Sequence, residues 1–133
     1  MRLNLNDARP RAVLIAHDPS AEGLEWIDEV RSVLEPDGLL VRRTHSAEDT
    51  ARCVERGGLA AAVLVAGGGR MNGLSVLRIV RSIDVVLPCW LVALRTDRST
   101  LQAALALRVT SVIAQPAEAM DIARALRTVI VDA

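Results

Sequence analysis

The sequence contains no lysine, no phenylalanine and no tyrosine. All sixteen of its basic residues are arginine, and Trp26 and Trp90 are its only large aromatics. The missing lysine, beside so much alanine, reads as coding bias. The shortage of aromatics leaves the core to Ala, Val, Leu and Ile. Cysteine is scarce too: Cys53 and Cys89 lie far apart, without CxxC or Cys/His spacing. That excludes a zinc or redox motif and predicts two buried free thiols. No apolar run reaches the roughly 18 residues of a membrane span, and the N-terminus lacks a signal-peptide core. No membrane partner and a cytoplasmic location are therefore expected. Neither sign of charge is in excess, with sixteen acids against sixteen arginines. No overall field draws the chain to nucleic acid or anionic lipid.

One further absence is local. In AAAVLVAGGGRMNGL, residues 60–74, a short apolar run reads as a buried strand and a glycine-rich turn follows directly. In an open α/β sheet, ligands and reacting groups sit at the carboxyl ends of such strands. This strand end offers Ala66, Gly67, Gly68 and Gly69, with no carboxylate, hydroxyl, thiol or imidazole.

What is present is a steady alternation of elements. The apolar share is 51% over 133 residues, enough for one domain with a real core and too high for a disordered chain. RAVLIA (11–16) is a continuous apolar strand. Ser20 offers an N-cap, and Leu24, Ile27, Val30 and Leu34 recur at helical spacing until Pro36, Asp37 and Gly38. Residues 39–44 read as a second strand, placed at an edge by Arg42 and Arg43. Ser46, with Asp49 three residues on, starts a helix that ends at Gly57-Gly58. A third strand over 60–66 precedes a helix over 74–82. Pro88 leads a fourth strand (89–94), and Asp97, Ser99 or Thr100 starts a helix reaching Leu107. A short fifth strand (111–114) ends at Gln115-Pro116, and a last helix runs from 117 to 131. Near-continuous apolar strands joined by crossover helices predict an α/β fold: a doubly wound five-stranded parallel sheet covered on both faces.

Four segments carry a resemblance over nearly the whole chain. RAVLIAHDPS stands where a family's first strand runs into acidic residues. RMNGLSVLRIVR stands where its loop ends in Asp-Gly before a helix. LPCWLVAL matches a Pro-led fourth strand, and SVIAQP a fifth strand ending in Lys-Pro. Their order and spacing resemble the CheY-like receiver domains of bacterial response regulators. The resemblance implies a receiver-like domain over 11–131, in a (βα)5 flavodoxin-like three-layer fold, behind an N-terminal extension of residues 1–10.

The family's chemistry is phosphoryl transfer to an aspartate with Mg²⁺. It needs an acceptor carboxylate, two metal-binding acids, a hydroxyl and a lysine. Residue by residue, that set is nearly absent here. The acceptor position falls on Val65 or on Ala66, depending on the anchor. The hydroxyl position falls on Ala93, the lysine on Gln115 before Pro116, and the aromatic switch position on Val112. The acidic pair falls on His17 and Asp18, or on Ala16 and His17. At most one carboxylate remains, so Mg²⁺ binding is expected to be weak or absent and no other cofactor is implied. The resemblance thus points to a pseudo-receiver, not an enzyme, with a degenerate pocket of His17, Asp18, Ala66, Gly67, Ala93, Gln115 and Pro116.

His17-Asp18 reads either as a remnant metal or proton site or as a solvated strand end in which Asp18 or Ser20 caps the first helix. GGGRMNGLS (67–75) has GxxxxG spacing but Leu74 where a phosphate loop needs lysine, so it reads as a tight turn. Arg78 and Arg81, like Arg42 and Arg43, read as a solvated, ion-paired surface. Trp90 reads as core, whereas Trp26 falls off the stripe of Leu24 and Ile27 and reads as a half-buried or contact residue. The helix around LQAALALRV (101–109) lacks a polar stripe. Receiver-like domains often pair through the fourth helix, fifth strand and fifth helix, which makes Leu101, Leu105, Arg108 and Val112 interface candidates.

Three functions remain open. The first is a phosphorylation-independent binding module, as a homodimer or with a signalling protein partner. The second is a sensor holding a small ligand above residues 66–69, with His17, Asp18 and Gln115 as contacts. The third is residual phospho-signalling through Asp18. The sequence ends just after the fifth helix, so any output is expected through a partner or through a longer parent protein.

Overall fold

A computed structural model describes residues 12–66, 72–93, 97–114 and 118–131. Five parallel strands form one sheet: β1 (Ala12–Ala16), β2 (Leu40–Thr44), β3 (Leu59–Val65), β4 (Cys89–Ala93) and β5 (Ser111–Ala114). Their spatial order is β2-β1-β3-β4-β5. The helices are α1 (Trp26–Leu34), α2 (Ala47–Arg56), α3 (Gly73–Ile83), α4 (Arg98–Ala106) and α5 (Ala119–Val131). The alternation of elements is therefore as the sequence predicts, and β2 lies at the edge where Arg42 and Arg43 placed it.

The apolar strands lack an outward polar alternation because each face of the sheet is covered. On one face Val13, Ile15, Val63, Trp90 and Val92 pack with Trp26, Ile27, Val30 and Leu34 of α1 and Ile122 and Leu126 of α5. On the other, Leu14, Ala62, Leu64 and Leu91 meet Val54 of α2, Val76, Leu77 and Val80 of α3, and Ala104 of α4. Period-2 side-chain alternation in the strands sends successive residues to these two cores. Both cysteines are buried and unbridged. Burial pushes the Cys89 thiol up to about 11, against opposing influence from Arg81, so it stays protonated at neutral pH.

Side chains set the helix starts. Ser46 Oγ accepts from the Asp49 amide at 3.1 Å, and Asn72 Oδ1 accepts from Leu74 at 2.9 Å. At α4, Asp97 Oδ1 accepts from the Thr100 amide at 2.7 Å, which settles the choice among Asp97, Ser99 and Thr100.

The first helix departs from the sequence reading. It begins at Trp26, with Glu25 before it and no capping side chain, instead of near Ser20. The Asp18 carboxylate draws in both the Ser20 amide, at 2.9 Å, and the Ser20 hydroxyl. This closes a local turn that competes with helix formation. Gly23, at φ +71°, bends the chain again before α1. Neither Asp18 nor Ser20 caps the helix. Leu24 precedes the helix, so the apolar stripe is Trp26, Val30 and Leu34 at i, i+4 and i+8, with Ile27 beside it. Trp26 is consequently core, at 4% exposure.

Candidate functional site

The carboxyl ends of β1, β2, β3 and β4 lie side by side through the registers Ala16↔Thr44, Ala16↔Leu64 and Val65↔Val92. This brings His17 and Asp18 next to the ends of β2 and β3, with Ala93 one strand further on. Gly67, Gln115 and Pro116, also expected here, lie outside the described residues, as do residues 1–10 of the expected extension.

His17 is buried, at 3% exposure, and its surroundings fix its state. Its amide donates to the Thr44 carbonyl at 3.0 Å. Its Nδ1 lies 2.9 Å from the Asp18 carbonyl, which can only accept, so Nδ1 carries the proton. Arg43 then donates to the bare Nε2 from Nε at 3.1 Å and from Nη2 at 2.8 Å. His45 sits edge-on, its ring centroid 4.7 Å away. Burial lowers the His17 pKa from its ordinary 6.5, and the charges of Arg43 and His45 add to that. The Asp18 carbonyl and carboxylate oppose the shift without reversing it. The imidazole is neutral, with both nitrogens engaged.

Asp18 is buried at 5% exposure, and one carboxylate oxygen holds the Ser20 turn. A hard divalent ion takes six or more oxygen ligands, several from carboxylates. The ring of His17 has no nitrogen to spare, and the β1 end contributes a single carboxylate. No group of three or more His, Cys, Asp or Glu suited to a metal occurs among the described residues. Among the described residues, this edge of the sheet therefore offers fewer oxygen ligands than Mg²⁺ takes.

At the end of β3, Val65 is buried in the core shared with α1 and α5. Ala66 is half-buried against the opposite core, its amide donating to the Val92 carbonyl at 2.7 Å. The start of α3 closes over it. A Cβ placed on Gly73 would lie 2.9 Å from the Ala66 Cα, a contact only glycine permits. Ala93 is buried at 2%. None of these three side chains has an atom that can accept or donate a phosphoryl group.

Two arginines that read as solvated in the sequence are instead engaged by side-chain hydrogen bonds. Arg43 reads as a solvated edge residue, yet it pairs in register with Ile15 and so shares a face with His17, two residues on. Arg81 reads as a solvated surface residue. It sits on the α3 stripe of Leu74 and Leu77, at i, i+3 and i+7, and its guanidinium binds backbone carbonyls of Asp84, Leu87, Leu107 and Arg108.

The interface candidates divide. Leu105 projects at 67% exposure, whereas Leu101 is half-buried. Val112 packs inward with Leu107 against the α2–α3–α4 core. Arg108 is exposed, at φ +59°, a left-handed conformation at the turn out of α4. On α5, Met120 is exposed at 56%. Ile83, Val85 and Val86 around the end of α3 are exposed as well, which the strand-and-helix pattern did not single out.

Comparison with solved structures returns CheY-like receiver domains. A response regulator receiver domain protein from Methanospirillum hungatei superposes with a TM-score of 0.77 at 16% identity, covering 92% of this chain and 94% of that one. A chemotaxis protein of Vibrio cholerae gives 0.72 at 16% identity, over 90% of this chain and 98% of that one. A putative response regulator from Chloroflexus aurantiacus gives 0.72 at 20%, over 92% and 99%. At these identities the likeness establishes the fold. No protein family and no curated protein matches the sequence. No helix among the described residues is long and apolar enough to cross a membrane.

Proposed function

We propose that the chain is a receiver-like module of signal transduction that acts by binding protein and works without phosphorylation or Mg²⁺. The observation that carries this reading is the carboxyl edge of the sheet. Val65, Ala66 and Ala93 stand there with no reactive atom, Gly73 closes on Ala66, and the His17 imidazole is held neutral by burial and by Arg43. Phosphoryl transfer is electrostatic work done by a nucleophile, a metal and a cation around it. These residues provide no acceptor carboxylate on β3 and no fit for the metal. The partner is a second copy of the chain or a signalling protein, and the contact face is α4 through α5, with Leu105 at its centre. Leu105 on α4 and Met120 on α5 are its exposed large apolar side chains, and such side chains favour a protein contact. The surroundings in which this occurs are the cytoplasm.

Two measurements test the proposal. Incubation with Mg²⁺ and acetyl phosphate, followed by intact-mass analysis, should add no phosphoryl group. Phosphorylation lost in Asp18→Ala would overturn the reading in favour of Asp18 as acceptor. Native mass spectrometry of the full chain purified from its host should show a dimer or protein complex that Leu105→Arg abolishes with the fold intact. A monomer carrying a small molecule would instead make the chain a ligand sensor.

A further inference from the structure

We propose that His17 and Arg43 form a pH-sensitive latch between the β1–α1 loop and the end of β2. The latch is the fork of two N–H donors from Arg43 onto one imidazole nitrogen, at 3.1 and 2.8 Å. That nitrogen can accept only while it carries no proton. The charged and titratable groups facing the ring, among the described residues, are Arg43 from β2, His45 from the β2–α2 turn and Asp18 from the loop itself. Arg43 and His45 disfavour a proton on the ring. The Asp18 carboxylate favours one, but it is turned toward the Ser20 amide and hydroxyl.

Protonation at Nε2 converts the acceptor into a donor that faces two other donors. Both Arg43 bonds are lost and imidazolium meets guanidinium across the same gap. The remaining attachments of His17 survive, because Nδ1–H still donates to the Asp18 carbonyl and the amide still donates to Thr44. Arg43 is exposed and swings into water, so the latch opens without unfolding the sheet. What is released is the side-chain tie between His17, at the head of the irregular segment 17–25 before α1, and Arg43 of the edge strand, while the His17 amide stays on Thr44. Histidine is the side chain suited to such a change near physiological pH. Acid therefore loosens the loop, and neutral pH fastens it.

The test is a nitrogen-detected NMR titration of the full chain from about pH 7.5 to about pH 5, a span that brackets ordinary histidine titration. At the neutral end His17 should show the Nδ1–H tautomer, and the Arg43 Nε–H should be protected from exchange. On acidification, loss of that protection and movement of the amides of His17, Asp18 and Ser20 should share the His17 midpoint. In Arg43→Gln, at an exposed position that keeps the fold, the His17 midpoint should rise towards its ordinary value. In His17→Gln the loop amides should stop responding over this range. The proposal is overturned if His17 is doubly protonated at neutral pH. Loop amides that ignore the His17 titration, or an Arg43→Gln midpoint equal to wild type, overturn it as well.

Discussion

Arg81 donates from Nε to the carbonyl oxygen of Leu107, 2.8 Å away and 26 residues along the chain. The same guanidinium reaches the Arg108 carbonyl from Nη2 at 3.0 Å, and from Nη1 those of Asp84 and Leu87 at 3.1 and 2.7 Å. One side chain thus ties together the end of α3, the entry to β4 and the turn out of α4. These carbonyls lie at helix ends and turns, where the backbone has few partners of its own. Leu105, the exposed centre of the proposed contact face, sits just ahead of the turn that Arg81 holds.

Arg81→Ala should lower stability by about 2–3 kcal/mol, the scale of charge-assisted bonds lost while water takes over some of the carbonyls. Arg81→Lys should recover only part of this, because an ammonium lacks the planar fork that reaches four oxygens at once. Urea denaturation of the three proteins checks the ranking. Equal stability of Arg81→Lys and wild type would show that charge alone, not the fork, does the tying.

Gly73→Ala should destabilise by about 1–3 kcal/mol through overpacking. The new Cβ would stand 2.9 Å from the Ala66 Cα and 3.0 Å from its nitrogen, and backbone cannot give way as a flexible side chain can. Gly58 makes a useful contrast, since a Cβ there meets nothing within 4 Å and only its φ of +79° resists substitution. Thermal melts of Gly73→Ala decide the matter. A variant as stable as wild type would mean that α3 can move off the end of β3.

Trp26 places its indole nitrogen in the core with no hydrogen-bond partner among the described residues. A buried donor without a partner is costly, so Trp26→Phe removes a penalty as well as some volume. Its stability should fall by less than about 1 kcal/mol, whereas Trp26→Ala should lose about 3–5 kcal/mol to the cavity it opens. Chemical denaturation of both variants separates the outcomes. A large loss in Trp26→Phe would show that the indole nitrogen is satisfied after all.

The fold was legible because its signals are local. Continuous apolar strands, Ser46 and Asp97 as caps, and Gly57-Gly58 after α2 each declare an element within a few residues. The errors come from interactions that cross the chain or displace a boundary. Ser20 resembles a cap, but Asp18 captures it first, and that shift of the α1 start also moved Trp26 onto the buried stripe. Arg43 and Arg81 look alike in sequence to any solvated arginine. Their partners lie 26 residues away or more in the case of His17, Leu107 and Arg108, a separation at which periodicity is silent. The lack of reactive atoms on Val65, Ala66 and Ala93 was legible outright, whatever the fold does around them.

Stability should also depend on pH through His17, and the sign follows from its environment. Burial above all, with help from Arg43, holds the folded-state pKa below the ordinary 6.5. Near pH 6.5 the unfolded chain begins to take up a proton at this position while the folded protein does not. Unfolding therefore gains a proton as pH falls, and stability drops from there until the folded-state pKa is passed, below which the His17 contribution flattens. Above about pH 7.5 the contribution is complete and constant. Urea midpoints measured across this range for wild type and His17→Gln isolate it, because the other acids titrate alike in both. The wild type should lose more stability than the variant between neutral and mildly acidic pH. If the two lines run parallel, His17 is protonated as readily in the folded chain as in the unfolded one, and the Arg43 bonds do not hold it neutral.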